Sequence, residues 1–278
     1  MATNTFLIII FAAVLHASWN AVVKGGKDKL LQMTAVMSGH IPFALVTLFF
    51  VPPLNFACWP NLLLGAIFHF GYQVYLVESY KKADLSQVYP IARASAPLIA
   101  TIVSFIFLNT EFVLMELIAM ALIILGLVST TGSRIQNVPK TAAVSAIITG
   151  CFIASYSLVD GYGGRLGGSP VAYYCWLSLI NGPIMWIYCA RVSPSSLKNV
   201  FGSAKWVFFG GGLASFAAYC LVMWAFSRAS IPVVMAIRET SIIFAFFIGI
   251  IFLKEKMTMA KMVGATLAVS GIIVLHIF

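Results

Sequence analysis

Residues 86–97 read SQVYPIARASAP, and residues 231–242 read IPVVMAIRETSI. Laid one over the other at a shift of 145 positions, they put Arg93 on Arg238 and Ser95 on Thr240. The register then continues without a gap, pairing Phe107-Leu108 with Phe252-Leu253, Ala119 with Gly264 and Gly126 with Gly271. Earlier in each half, HASWN (16–20) resembles IASYS (153–157), which sets Trp19 over Tyr156 and Asn20 over Ser157. His69 and Gln73 fall on Ser215 and Tyr219 at a shift of 146. One such match between apolar segments is weak evidence. Several in the same order on both sides describe a chain written twice.

The text that is repeated is membrane text. Of 278 residues, 61% are hydrophobic and only 9% charged, against about half and about a quarter in a soluble domain. Apolar runs of roughly 20 residues, the length that crosses a bilayer as helix, recur throughout. We read ten spans, at 6–23, 31–51, 61–80, 85–108, 112–130, 141–160, 170–190, 205–227, 230–253 and 258–277. The runs are continuous, which excludes a β-barrel, whose strands alternate. The first run lacks the basic leader and cleavage site of a signal peptide and is expected to stay as a span. The expected fold is therefore an all-α membrane protein of ten transmembrane helices. Its halves, 1–137 and 138–278, would form two five-helix repeats around a central cavity in one membrane domain.

Five spans per half is an odd number, so the second half enters the bilayer with opposite polarity. Inverted repeats of this kind are an architecture of secondary transporters, with the substrate site near the midplane between the halves. Two exchangeable halves can open such a site to one side and then the other.

The net charge of +9 is placed unevenly. Lys24, Lys27 and Lys29 follow the first span, Lys81 and Lys82 the third, Arg134 and Lys140 the fifth. Arg191, Lys198 and Lys205 follow the seventh, and Lys254, Lys256 and Lys261 the ninth, whereas the even connections hold only Arg165 and Arg228. The positive-inside rule puts the odd connections in the cytoplasm and both termini outside. Charges dispersed over short loops do not make a nucleic-acid surface. The five cysteines sit in or beside apolar runs without metal spacing and read as packing residues.

The chain resembles the EamA-type branch of the drug/metabolite transporter superfamily. The resemblance rests on Ala225-Phe226-Ser227-Arg228-Ala229-Ser230 before the ninth span, Leu253-Lys254-Glu255 after it, Gly264 and Gly271 in the tenth, and Pro97 in the fourth. The first half departs from it at Leu108-Asn109-Thr110, where Glu111 comes one place late, and Ile242 stands where a second proline would match Pro97. The resemblance implies ten helices around a cavity lined by spans 1, 3, 4, 6, 8 and 9, with spans 5 and 10 as scaffold. It also implies cytoplasmic termini, against the charge bias.

Few polar residues lie deep in these spans. Arg93 is eight residues from Leu85, roughly 12 Å along a helix, and Arg238 is at a similar depth. An arginine at a span centre costs about 2.5–3.5 kcal/mol on insertion scales. The alternatives are snorkelling along the stem, or bonding to carbonyls released by Pro90 and Pro232. Glu239 reads as the one carboxylate at comparable depth, leaving one positive charge in surplus, and guanidinium groups suit carboxylate or phosphate. Arg93 and Arg238 are thus expected to hold the acidic group of an anionic or zwitterionic substrate. Trp19, Tyr156 and Tyr219 would wall the site, and Asn20, His69, Gln73, Ser95 and Thr240 would offer hydrogen bonds. His16 shares the face of Asn20 and reads as an ordinary polar residue. Glu239 is the candidate for proton coupling. Glu78 and Asp160, near span ends, read as interfacial, and GYGGRLGGSP (161–170) as a turn.

No nucleophile–base motif or metal cluster is visible, so no enzyme activity and no cofactor are expected. The expected function is secondary transport of a small polar or anionic metabolite, such as an amino acid, organic acid or phosphonate, across the inner membrane. The expected partners are lipid and, in one reading, protons, with the protein a monomer or homodimer. An uncoupled channel or facilitator for small solutes is the alternative.

Overall fold

The computed structural model describes residues 1–82, 85–130, 132, 138–253 and 258–277. Arg134, Lys254, Glu255 and Lys256, on which part of the charge bias and of the motif after the ninth span rest, lie outside them. The described residues are helical almost throughout. The helices are α1 (Thr3–Gly25), α2 (Lys29–Leu48), α3 (Trp59–Lys82), α4 (Leu85–Phe107), α5 (Leu114–Ser129) and α6 (Lys140–Leu166). They continue with α7 (Pro170–Val192), α8 (Pro194–Lys198), α9 (Gly212–Phe226), α10 (Ile231–Arg238), α11 (Ser241–Leu253) and α12 (Met259–Ile277). A π-turn over Val207–Gly211 leads into α9.

Local chemistry places the helix starts. The Asp28 carboxylate accepts from Leu31 N at 3.0 Å and opens α2. Ser169 Oγ accepts from Ala172 N at 3.3 Å, and Pro170 follows as the first residue of α7. At α5 the side chain of Glu116 reaches back to Val113 N at 3.2 Å. Each satisfies an N–H that the helix itself cannot. Prolines 42, 90, 97 and 183 lie inside helices, which a membrane bundle tolerates because neighbours satisfy the freed carbonyls.

Seven stretches of the described residues are helical, long enough and apolar enough to cross a membrane. They comprise α1, α2, α4, α6, the π-turn with α9, residues 231–248 across α10 and α11, and α12. α3 and α7 are 24 and 23 residues long but carry His69, Gln73, Tyr173, Tyr174 and Asn181 facing inward, all buried. α5 has only 16 residues. α3 and α7 are thus long but less apolar, and α5 is apolar but short, so seven candidate spans are found among the described residues where the sequence reading expects ten. Outward faces are apolar: Phe105, Phe107, Phe247 and Ile273 are each more than half exposed. A soluble monomer does not present such a surface, and lipid is the solvent that accepts it.

The sixth helix differs from its sequence reading. α6 continues through Leu166, so GYGGRL is helix and only Gly167, Gly168 and Ser169 turn, Gly168 at φ +72°. The glycines belong to a tight packing face. A Cβ on Gly163 would lie 2.6 Å from the Tyr173 ring, and one on Gly164 2.8 Å from Met223. Glycine weakens an isolated helix, but here it lets α7 and α9 approach.

α5 and α12 pack through small residues. A Cβ on Gly264 would lie 2.5 Å from the Gly126 carbonyl oxygen, and one on Gly126 2.7 Å from the Gly264 oxygen. Ala268 and Ala260 complete the row, against Gly126 and Gly132. The small-residue row of the tenth span is therefore used within the chain. Gly264→Leu is expected to force these backbones apart and destabilise the protein by about 3 kcal/mol. A melt in detergent that matches the unmodified protein would contradict this packing.

Candidate functional site

Three faces of helical period meet at the centre. Ala12, His16 and Trp19 on α1, His69, Tyr72 and Gln73 on α3, and Ser215, Ala218, Tyr219 and Val222 on α9 follow the i, i+3, i+4 spacing of a single helix face. With Met37 and His40 of α2, Tyr156 of α6, Tyr174 of α7 and Arg238 of α10, they enclose a cavity of about 50 Å³. That volume holds a few water molecules. A metabolite would need the surrounding helices to separate.

The residues expected at the site divide into two groups. Trp19, His69, Gln73, Tyr156, Tyr219 and Arg238 line the cavity. Arg93, Asn20, Ser95, Thr240 and Glu239 do not, and each has a physical reason. Asn20 donates to the carbonyl of His16 on its own helix at 2.8 Å. Ser95 donates to the Ala92 carbonyl at 3.1 Å and packs on Gly150, where α4 meets α6. Thr240 and Glu239 lie in the tight turn joining α10 to α11, where Thr240 N bonds to Ile237 O at 2.9 Å and Ile243 N to Thr240 O at 2.8 Å.

The two arginines part company here. Arg93 Nε donates to Glu239 Oε2 at 2.6 Å, with both side chains buried, and Arg93 Nη2 is 3.4 Å from Ser241 Oγ. Its charge is answered inside the protein. Arg238 is 2% exposed, yet its Nε and Nη2 find no hydrogen-bond partner among the described residues. Its guanidinium sits 6.0 Å from the centre of the Tyr219 ring, against the cavity. A buried donor without an acceptor is unfavourable. This one belongs to the cavity wall.

Asp160 overturns the interfacial reading. It is fully buried, and its carboxylate accepts from His69 Nε2 at 2.7 Å, Tyr219 Oη at 2.9 Å and Tyr173 Oη at 3.3 Å. A Cβ on Gly65 would come within 2.5 Å of Asp160 Oδ1, so that glycine makes room for it. The run of glycines after residue 160 reads as a loop, and this hid Asp160 from the sequence. The usable signal was the spacing of Gly161 and Gly164, which falls on one helix face. The charge surplus changes as well, because among the described residues two buried carboxylates now stand against two buried arginines. His16 also joins the site, edge-on to Trp19 with ring centres 5.2 Å apart.

Helices α2 and α7 contribute to the lining and α4 does not, unlike the expected set of spans. Tyr174 Oη and His40 Nδ1 lie 3.3 Å apart and join these two walls. Arg165 donates to the carbonyls of Phe226 and Ala229 and ties the end of α6 to the end of α9 and the α9–α10 connection.

Comparison with known proteins places this arrangement. Residues 140–277 match the model of the EamA-like transporter family. A solved crystal structure, described simply as that of a protein, superposes on 99% of this chain and 98% of its own with a TM-score of 0.74. Its sequence identity of 15% speaks for the fold alone. No curated protein matches the chain.

Proposed function

This chain belongs to the drug/metabolite transporter superfamily through its EamA-like second half, and from that premise we propose a secondary transporter for a small anionic metabolite. It works by alternating access in the inner membrane. The observation that carries the proposal is Arg238, a buried cation at the cavity wall with two donor nitrogens unpartnered among the described residues. A guanidinium offers paired N–H donors that fit carboxylate, phosphate or phosphonate. Asp160 already accepts three hydrogen bonds, which leaves a substrate ammonium poorly served and favours an anion over a zwitterion. Tyr72, Tyr156, Tyr174, Tyr219 and Trp19 would enclose the rest of a small molecule.

Alternating access needs two exchangeable halves, and several contacts support a two-fold relation between them. Residues paired by the sequence register, Trp19 with Tyr156, His69 with Ser215 and Gln73 with Tyr219, line the same cavity. At the scaffold, Gly126 meets Gly264 and Ala268, while its register mate Gly271 meets Ala119 and Ile123. These are the register mates of Gly264 and Ala268. Such reciprocity is what an isologous contact between repeats would produce. The ten-span, inverted-repeat division at 137/138 is part of this proposal.

A carrier and a channel differ in counterflow. Vesicles containing the purified protein, preloaded with an unlabelled anion, are expected to accumulate the labelled anion transiently above equilibrium. A panel of small carboxylates, phosphate and methylphosphonate is the starting set. Flux that never saturates and shows no counterflow would mark an uncoupled pathway and remove the carrier reading.

A further inference from the structure

Once Arg238 is assigned to the anion, a second charged centre beside it has no role. Asp160 and His69 form a buried pair, Nε2 to Oδ2 at 2.7 Å, that joins α6 to α3. Tyr173 of α7 and Tyr219 of α9 also donate to this carboxylate. With Nε2–H assigned as the donor to Asp160, Nδ1 is the ring nitrogen left to accept a proton. Two tyrosines connect the pair to Arg238. Tyr156 stacks on His69 with ring centres 3.9 Å apart and reaches Arg238. Tyr219 bonds Asp160 through its hydroxyl and lies beneath the Arg238 guanidinium.

The charge count then decides what can enter together. Arg93 and Glu239 close on each other and sum to zero. In the state where the His69–Asp160 pair carries no added proton, Arg238 and Asp160 also sum to zero. An anion alone would leave the enclosed site at −1, and a proton alone would leave it at +1. Either is disfavoured where lipid and apolar side chains surround the charge. Both together restore neutrality. We propose that the His69–Asp160 pair is a proton-binding site coupled to the anion at Arg238, so that one proton accompanies each monovalent anion. This deepens the transport reading above and rests on it. It also takes the proton from Glu239, which Arg93 holds.

Other groups face the pair from each side. Tyr72 of α3, Tyr156 of α6, Tyr173 and Tyr174 of α7 and Tyr219 of α9 are phenols, and Cys58, ahead of α3, is a thiol. All of these types titrate above the histidine range in their ordinary state. Arg165 of α6 is tied to carbonyls at the end of α9 and in the α9–α10 connection. His40 of α2 and His16 of α1 share the cavity wall and are the rival proton sites.

Formate is a suitable probe, small enough for the cavity and ionised throughout the range. Binding to the purified full chain is measured by calorimetry in two buffers of different ionisation heat, which counts protons taken up per anion. The wild type is expected to take up about one proton per formate and to bind it roughly tenfold tighter at about pH 5.5 than at about pH 8. Two variants should move in opposite directions. Asp160→Asn imitates the protonated pair and is expected to bind formate tightly at both pH values. His69→Gln leaves Asp160 charged and is expected to bind it weakly at both. An Asp160 with only a structural role predicts weaker binding in its variant at every pH, and that result overturns the proposal.

Formate binding that Arg238→Ala removes but that takes up no proton would overturn the coupling and leave the anion reading standing. Proton uptake that persists in the double variant His69→Gln/Asp160→Asn would move the site to His40 or His16 and overturn this assignment. Formate binding that is absent, or indifferent to Arg238→Ala, sinks the anion reading and the coupling with it. Should either pair variant fail to fold, the proton count of the wild type still decides.

Discussion

Arg238→Ala is expected to abolish anion binding and transport while leaving the protein folded. The loss follows from charge-assisted hydrogen bonds in a desolvated site, where truncating one partner costs about 2–5 kcal/mol, or roughly three-hundredfold in affinity at the middle of that range. The retained stability follows from the unsatisfied state of the group. Arg238 is buried with Nε and Nη2 unpartnered among the described residues, so removing it relieves a desolvation penalty that offsets the lost contact with Tyr156 and the lost balance to Asp160. Strain of this kind is what a binding site keeps at the expense of stability. Formate affinity by calorimetry and melting temperature in detergent check the two halves of the statement. A variant that binds formate like the wild type contradicts the site assignment. One that melts far lower shows that Arg238 holds the bundle together.

Arg93→Ala is expected to do the reverse, emptying the membrane of folded protein. It strands Glu239, which is 1% exposed and bonded through Oε2 to Arg93 Nε. Breaking a buried pair by removing one partner costs about 3–5 kcal/mol, because the remaining charge has no answer. The diagnostic is rescue. In Arg93→Met/Glu239→Gln no charge is stranded, and yield and melting temperature are expected to return to within about 1 kcal/mol of the original. A double variant as unstable as the single one would mean that the pair positions α4 against the α10–α11 turn through geometry that neutral side chains cannot supply. Transport by a well-folded Arg93→Ala equal to the wild type would remove the structural role altogether.

The two arginines occupy equivalent places in the duplicated sequence, and composition treats them alike. Both were legible as deep cations, since an arginine inside an apolar run stands out whatever surrounds it. Their division of labour was not legible, because the partner of Arg93 lies 146 residues away and no local pattern announces it. The aromatic residues are a different case. Trp19, Tyr156 and Tyr219 came from the repeat register, and a register preserves which face of a helix a residue occupies. Asn20 and Ser95 came from the same register but bond carbonyls of their own helices, and Thr240 lies in the turn between α10 and α11 with its hydroxyl unpartnered among the described residues. A polar side chain one step round a helix bonds its own preceding turn as readily as a cavity.

Asp160 is the instructive omission. A carboxylate followed by GYGGRLGG has the composition of a loop at a membrane surface. Glycines that end helices in water continue one here, because α7 and α9 press against the bare backbone and replace the lost helix propensity with packing.

What the chain determined unaided was its solvent, its helical character, the order of its apolar segments and the identity of the few polar residues within them. These are sums over neighbours in sequence, and the transfer of a segment from water to lipid is such a sum. Which buried charge is answered and which is left facing a space was decided only by the tertiary structure. Arg93 meets Glu239, and His69 meets Asp160, across 146 and 91 residues of chain. Electrostatic energy in a low-dielectric interior depends on distances of a few ångströms between such groups, and those distances exist only after the helices pack.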